Sequence, residues 1–158
     1  MKRRTCLILA VVLALCAGFA AAEQKVSLPA SSYTLTLPDG LEYDGPGSTE
    51  GDDAEFAYVS YDLGLDVEFF VYDGKGATLE GMVQVLQENG EDADLYTVNG
   101  IKMLVYRRDD PDQPPKKGMK CIGYALIDGD RVQEIVFWYA NQAAADLTKE
   151  IMGSINKE

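Results

Sequence analysis

The sequence of 158 residues contains no histidine. Histidine is the usual general base near neutral pH and the commonest protein ligand of transition metals. Without it, neither a Ser–His–Asp nor a Cys–His catalytic relay can be assembled. Acid–base chemistry in this chain could use carboxylates, which need no histidine partner; a Ser–Lys pair is also possible in principle, but nothing in the spacing of Lys75, Lys102 or Lys120 indicates one.

Basic residues are also scarce, at 14 against 26 acidic ones, and three of the 14 lie within the first 22 residues. The 136 residues that follow hold 11 basic and 26 acidic side chains, which gives them a formal charge of −15. A surface this acidic repels phosphate backbones, because nucleic-acid-binding proteins release counterions through clustered Lys and Arg. We therefore predict no nucleic acid among the partners.

Residues 1–22 form a leader that is typical of secretory signal peptides. Lys2-Arg3-Arg4 precedes a nearly continuous apolar run from Cys6 to Phe19, and Ala20-Ala21-Ala22 supplies the small residues that a signal peptidase requires. The apolar run is shorter than the ~18–20 residues of a comfortable transmembrane helix. We predict cleavage that leaves Glu23 as the first residue, and a protein that is secreted or acts in the cell envelope, outside the cytoplasm.

Two alternatives to this cleavage stay open from the sequence. Cys16 could carry a lipid as in bacterial lipoproteins, although Leu15 stands where such signals have a small residue and the following sequence is apolar. The leader could also remain attached as an uncleaved anchor. Once the leader has been cleaved, we expect the mature protein to be attached to a membrane only if Cys16 is lipidated.

The mature chain has one cysteine, Cys121, because Cys6 and Cys16 lie in the leader. A single cysteine cannot form an intramolecular disulfide. Cys121 lies among strand-like residues, where a free cysteine is typically a small buried hydrophobe. We therefore predict that Cys121 is buried.

Hydrophobic periodicity predicts strands joined by tight turns, with two helices. Asn99-Gly100 and Asp128-Gly129-Asp130 are predicted hairpin turns, because their residues tolerate the backbone conformations that such turns need. Thr78 and Asn141 are predicted helix N-caps. The predicted strands cover Tyr33–Leu37, Phe56–Tyr61, Leu65–Tyr72, Leu95–Val98, Ile101–Arg107, Met119–Ile127 and Arg131–Tyr139. The apolar stripes of the predicted helices are Leu79, Met82, Val83 and Leu86, and Ala144, Leu147, Ile151 and Ile155.

Two segments are predicted to be long loops. Residues 39–55 hold seven acidic residues and no basic one, and a structureless stretch of this length is typically functional or mobile. Residues 108–118 hold three prolines, which prevent regular structure.

Several predicted strands carry large apolar side chains on both faces, for example Ile122 and Tyr124 on one face and Cys121 and Ala125 on the other. A sheet of this kind must be covered on more than one side. The predicted fold is therefore α+β: a single domain whose antiparallel sheet of about six to seven strands is flanked by two helices. We assign this domain to residues 33–158, after an N-terminal extension at residues 23–32.

The sequence resembles the PsbP-like superfamily in three places. The opening Leu35–Gly40 reads Leu-Thr-Leu-Pro-Asp-Gly, the segment Asp128–Phe137 resembles the terminal hairpin, and Ile151–Ile155 resembles the terminal helix. The superfamily includes the PsbP proteins of the oxygen-evolving complex, a Ran-binding nuclear-import factor and many small exported bacterial proteins of unknown role. The resemblance implies an antiparallel sheet between helices and an accessory or binding role more than catalysis, and it carries over no catalytic residue.

Carboxylates offer two candidate sites. Asp66 and Glu68 alternate on one face of a predicted strand, which is the arrangement a carboxylate-dependent hydrolase would need, although alternating acids usually mark a solvated face. The acidic segment 39–55 is a weak candidate for Ca²⁺ through Asp44, Glu50, Asp52 and Asp53, because Ca²⁺ prefers carboxylate oxygens. The spacing of an EF-hand loop is absent. No other metal or cofactor is predicted.

The one concentration of positive charge in the mature sequence surrounds the proline-rich segment. Arg107, Arg108, Lys116 and Lys117, together with Lys120, contrast with the acidic remainder of the chain. Such a contrast orients a charged partner and attracts an acidic one. We therefore predict that Arg107, Arg108, Lys116 and Lys117 contact the partner, which is a protein or an anionic component of the envelope.

These observations favour an exported, non-catalytic accessory or binding protein that acts at the cell envelope or outside the cell. The alternative is a carboxylate-dependent hydrolase of the envelope or of an extracellular substrate. A concave pocket that holds Asp66 and Glu68 together would favour the hydrolase.

Overall fold

The structure, a computed structural model, describes residues 23–49, 52–108 and 118–158. The strands in these ranges are β1 Gln24–Ser27, β2 Tyr33–Leu37, β3 Glu42–Thr49, β4 Asp52–Ser60, β5 Leu65–Asp73, β6 Asp92–Val98, β7 Ile101–Arg108, β8 Lys120–Asp128, β9 Arg131–Tyr139 and β10 Asn156–Lys157. The helices are α1 Leu79–Glu88 and α2 Gln142–Gly153. The predicted leader, Glu50, Lys116 and Lys117 lie outside the described residues.

The strands form two sheets. The larger sheet has seven strands in the order β3-β4-β5-β9-β8-β7-β6, and each neighbouring pair is antiparallel. The smaller sheet has the order β1-β2-β10 and is also antiparallel. The fold is α+β and forms a single domain, as predicted; the second sheet was not predicted.

The seven-stranded sheet is covered on both faces, and the two faces alternate along each strand because side chains alternate. One face packs against α2 and the small sheet, where Val67 and Phe69 join Leu35, Ile151 and other buried residues. The opposite face packs against α1, and the apolar stripe of that helix is partly buried there. The buried residues Leu65, Val67 and Phe69 of β5 thus share a core with the C-terminal helix α2.

Both helices begin where the predicted caps lie. The Thr78 hydroxyl accepts a hydrogen bond from the Gly81 amide at 3.1 Å, and Asn141 Oδ1 accepts one from the Ala144 amide at 2.9 Å. Such bonds satisfy amides that have no partner inside the helix. The cap at Asn141 fixes the start of α2 directly after β9, and this start forms one wall of the site described below.

The prediction of a loop over residues 39–55 is wrong, because β3 and β4 form a hairpin there. Its register shifts between Tyr43 and Gly45 and again between Gly45 and Gly47. Bulges of this kind insert extra residues into a strand and so break the alternation from which strands are recognised. Glycine and proline residues in β3 further resemble loop sequence.

Residues 23–32, designated an extension from the sequence, include β1, which pairs with β2 along its length. Val26 and Leu28 are buried in the main core. The stretch therefore contributes apolar surface to the same core as α2.

Cys121 is buried on the α1 face of the sheet, as predicted. Burial raises the pKa of its thiol to about 12, because a thiolate would be poorly solvated there. At neutral pH the thiol is protonated, and the thiolate is the form that reacts. Cys121 therefore acts as a core residue.

Candidate functional site

The two arginines of the predicted basic patch point to opposite faces of the sheet. Arg107 is paired with Ile122 on β8, in a row that continues to Phe137 on the α2 face. Arg108 is paired with Cys121, whose side chain lies on the α1 face. Consecutive strand residues alternate in this way, so the patch divides into two separate environments.

Arg108 is held by other groups on the α1 face. Its Nε and one terminal nitrogen donate to the two carboxylate oxygens of Glu91, at 2.7 and 3.1 Å. Its guanidinium also lies 4.8 Å from the centre of the Tyr106 ring. The bidentate bond to Glu91 is the first cause that raises the pKa of Arg108. These contacts engage two N–H donors of the guanidinium and place it beside an aromatic ring on the α1 face.

Arg107 lies instead at a concave pocket of about 490 Å³ between residues 142–149 of α2 and the strands β6, β7, β8 and β9. We call this cavity the α2 pocket. Its walls come from the strands, from the chain between β9 and α2, and from the first turns of α2. The lining residues are Tyr96, Val105, Arg107, Gly118, Lys120, Ile122, Tyr124, Tyr139, Ala140, Asn141, Gln142, Ala145, Thr148 and Lys149.

Cationic side chains line the α2 pocket. Arg107 from β7, Lys120 from β8 and Lys149 from α2 line it, and no carboxylate is among the described residues of its wall. Asn141 and Gln142 stand at the amino end of α2, where the helix dipole adds positive potential. An acidic protein thus has a cationic cavity, and field lines concentrate in such clefts.

Two of these cations already contact carboxylates beside the pocket. Arg107 donates to Asp92 Oδ2 at 3.2 Å, and Lys149 donates to Asp146 Oδ1 at 3.0 Å. Lys149 is the first cause that lowers the pKa of Asp146. All four side chains are at least half exposed. Exposed pairs of this kind contribute little to stability, so an incoming anion can compete for the cations.

Tyrosines form much of the remaining wall. Tyr124 is buried and burial raises its pKa to about 12, while the nearby Arg107 charge partly opposes that shift. Its ring packs edge-on against Phe137 at 6.0 Å between ring centres. Tyr139 is half-buried, and Tyr96 on the edge strand β6 is exposed. The pocket therefore has an apolar, aromatic floor below a cationic rim.

Sequence reasoning found only part of this site. Arg107 and Lys120 belong to the basic cluster recognised in the sequence. Lys149, Tyr96 and Tyr139 were missed, because only the packing of α2 across the sheet brings them to the pocket. One part of the wall could have been predicted from the sequence. The hairpin of β8 and β9 places Lys120 directly opposite Tyr139, so these two side chains are neighbours.

The candidate carboxylates Asp66 and Glu68 lie beside Trp138 on β5 and β9. Glu68 is buried and accepts a hydrogen bond from Trp138 Nε1 at 3.0 Å, and Asp66 is paired with Trp138 across β5 and β9. Neither carboxylate lines the α2 pocket or either of two further cavities formed by described residues. The hydrogen bond gives Glu68 a structural role on the α1 face.

The Ca²⁺ interpretation of Asp44, Glu50, Asp52 and Asp53 stays a prediction, since Glu50 is not among the described residues. Within the part of the chain that the structure describes, no three potential metal-ligating side chains converge. In the same ranges, no helix combines the length and the apolar character that crossing a membrane requires.

The fold is PsbP-like. Comparison with solved structures relates it to cyanobacterial PsbP (CyanoP) from Synechocystis sp. PCC 6803, with a TM-score of 0.60 and 11% sequence identity over 89% of this chain and 95% of that chain. A crystal structure from Bacteroides thetaiotaomicron is similar with a TM-score of 0.57 and 15% identity; the match covers 85% of this chain and 48% of the other. The Ran-binding protein Mog1p from Saccharomyces cerevisiae matches at 0.46 and 12% identity, over 87% and 96% of the two chains.

These likenesses are of fold. No protein-family model matches the sequence, and no curated protein matches it. The α2 pocket must therefore be interpreted from its own residues.

Proposed function

We propose that this chain is an exported, non-catalytic binding protein that recognises an anionic partner through the α2 pocket. The leader at residues 1–22 supports action outside the cytoplasm, either in the envelope or as a secreted protein. The partner is a protein or an envelope component that carries negative charge. The PsbP-like fold agrees with this role, because the resemblance to that superfamily implies accessory and binding functions.

The observation that carries the proposal is the contrast between the pocket and the rest of the protein. Residues 23–158 have a formal charge of −15, yet the wall of the α2 pocket combines three cationic side chains from three separate elements. The net negative charge of the protein repels an anion at long range, and the cationic side chains of this cavity offset that repulsion locally. Pockets of this size, with an apolar floor and a few polar groups, are typical ligand sites.

The adjacent arginines provide a matched pair of variants for the test. Arg107→Glu reverses a charge at the pocket, whereas Arg108→Glu makes the same chemical change one residue later, on the opposite face of the sheet. Each variant serves as bait in a pull-down from the native envelope fraction at low salt, where screening of charges is weakest. We expect Arg107→Glu to lose most of the partner captured by the wild type and Arg108→Glu to retain it.

Stability is measured in parallel by urea unfolding, because each variant places a second carboxylate beside an existing one, Asp92 for Arg107→Glu and Glu91 for Arg108→Glu, and each is expected to lower the urea midpoint. Loss of the partner by Arg107→Glu, at a midpoint no lower than that of Arg108→Glu, supports the proposal. Equal capture by the wild type and by Arg107→Glu, or equal loss for the two variants, contradicts it. Lys116 and Lys117 stay predicted contacts.

A further inference from the structure

The floor of the α2 pocket is apolar. Val105, Ile122 and Tyr124 are each less than 9% exposed, and all three belong to the main core. Because these three side chains are already almost covered, most of the apolar surface that a ligand can remove from water belongs to the more exposed Tyr96 and Tyr139. The hydrophobic effect rewards that removal at about 25 cal/mol per Å² of apolar surface, which a small inorganic anion would not gain.

The rim of the pocket carries the charge. The side chains of Arg107 and Lys149 are 53% and 70% exposed, and both already donate to carboxylates, those of Asp92 and Asp146. A carboxylate is therefore an anion of a kind that both cations already contact at this place. A ligand carboxylate at the rim would replace one of the exposed protein carboxylates without burying an unpaired charge.

Aromatic side walls complete the site. Tyr96 is 51% exposed although it is a large ring at the pocket, and Tyr139 lines the pocket as well. Rings of this kind stack on flat or cyclic groups and gain about 0.5–1.5 kcal/mol beyond the area that they bury. The volume of about 490 Å³ lies within the range of small-molecule sites, roughly 300–1,000 Å³.

We infer that the α2 pocket binds an organic carboxylate with an apolar ring, with the ring against the tyrosine wall and the carboxylate among Arg107, Lys120 and Lys149. This inference rests on the proposed function and deepens it by naming the chemical class of the ligand. The ring and the carboxylate are both required, because the tyrosine wall rewards only the first and the cationic rim only the second.

Three compounds that share an indole ring test the two requirements. Indole-3-acetate carries a carboxylate, indole-3-acetamide is its neutral counterpart, and tryptamine carries a positive charge. Acetate and inorganic phosphate supply anions without a ring. Binding is followed by chemical shifts of backbone amides in the ¹⁵N-labelled protein, which report both the affinity and the location. We expect indole-3-acetate to bind about tenfold more tightly than the amide, equivalent to ~1.4 kcal/mol.

Tryptamine should bind more weakly than the amide, and neither acetate nor phosphate should displace indole-3-acetate. The shifts should centre on Gly118, Ala145 and neighbouring residues of the pocket.

Arg107→Gln combined with Lys149→Gln should remove the preference for the carboxylate and leave the weaker binding of the amide unchanged. The control, Lys25→Gln with Lys75→Gln, removes two exposed cations outside the pocket and should keep the preference.

Equal affinity for the three indoles overturns the inference, and so do shifts centred outside the pocket or displacement by phosphate. These outcomes leave the proposed function intact if Arg107→Glu still fails to capture the partner. Conversely, selective binding of indole-3-acetate together with undiminished capture by Arg107→Glu supports the ligand class and contradicts the proposed partner site. The two experiments thus fail independently.

Discussion

The Tyr106 hydroxyl donates a 2.7 Å hydrogen bond to Glu134 Oε1, and it reaches that carboxylate across Gly123 on the strand between them. The second oxygen of Glu134 accepts a bond from the Tyr72 hydroxyl at 2.9 Å. Burial and the negative charge of Glu134 both raise the pKa of Tyr106, so its hydroxyl stays a donor. These two hydrogen bonds link β5, β7 and β9, and a side chain at residue 123 would block the one from Tyr106.

Gly123→Ala should therefore destabilise the protein. A Cβ atom at residue 123 would lie 2.1 Å from Cζ of Tyr106, so the ring must move and its bond to Glu134 is disturbed. Overpacking of this kind costs about 1–3 kcal/mol, which urea unfolding measures directly. Gly153→Ala is the matched control, because nothing lies within 4 Å of a Cβ there. Equal midpoints for Gly123→Ala and the wild type would show that Tyr106 adapts freely.

Phe69→Ala should cost about 3–5 kcal/mol of unfolding free energy, because truncating a buried Phe loses its transfer energy and leaves a cavity. Phe69 is fully buried and packs against Phe56 at 4.7 Å between ring centres. Tyr61→Ala removes an aromatic ring that is 96% exposed and should change the urea midpoint little. A Phe69→Ala protein as stable as Tyr61→Ala would refute the assigned face of β5.

Alkaline pH should destabilise the protein partly through Tyr124. Its folded pKa of about 12 lies above the unfolded value near 10, so the neutral phenol stabilises the fold fully below pH 10. Between pH 10 and about 12 the unfolded chain loses this proton while the folded chain keeps it, so stability falls as the pH rises. Tyr124→Phe should have a shallower decline of the urea midpoint over this interval. Parallel declines for both proteins would contradict the buried phenol.

The exported protein should begin at Glu23, because the leader has a basic start, an apolar run and an alanine-rich boundary. Intact-mass measurement of the protein recovered from outside the cytoplasm checks this expectation. A species that begins at Cys16 and carries lipid mass would establish the lipoprotein alternative. A Cys16→Ser variant distinguishes the two, since only a lipid-anchored protein needs that sulfur.

Local chemistry made much of the fold predictable. At the turn between β6 and β7, Asn99 has a φ of 51° and Gly100 a φ of 78°, which is the left-handed geometry that their residue types tolerate. The helix caps at Thr78 and Asn141 likewise depend on neighbours three residues away. By contrast, the bulged β3 acquires its register from β4, and such pairing leaves no simple period in the sequence.

The site was predictable only where residues are neighbours along the chain. Arg107 and Arg108 are adjacent in sequence, but strand alternation sends them to opposite sides of the sheet, a division that follows from the exact register of β7 with β8. Lys149 reaches the α2 pocket from α2, a helix that starts more than thirty residues after Arg107 in the sequence. Tertiary packing decides such encounters, and no periodicity encodes them.

The small sheet has a consequence for the order of folding. β2 takes one partner from residues just before it and the other from β10, and the Thr36 amide donates to the Ser154 hydroxyl across 118 residues of sequence. Closing so long a loop is entropically costly and is compensated only when the intervening structure has formed. We therefore expect the β1-β2 hairpin to form before β10 pairs with β2.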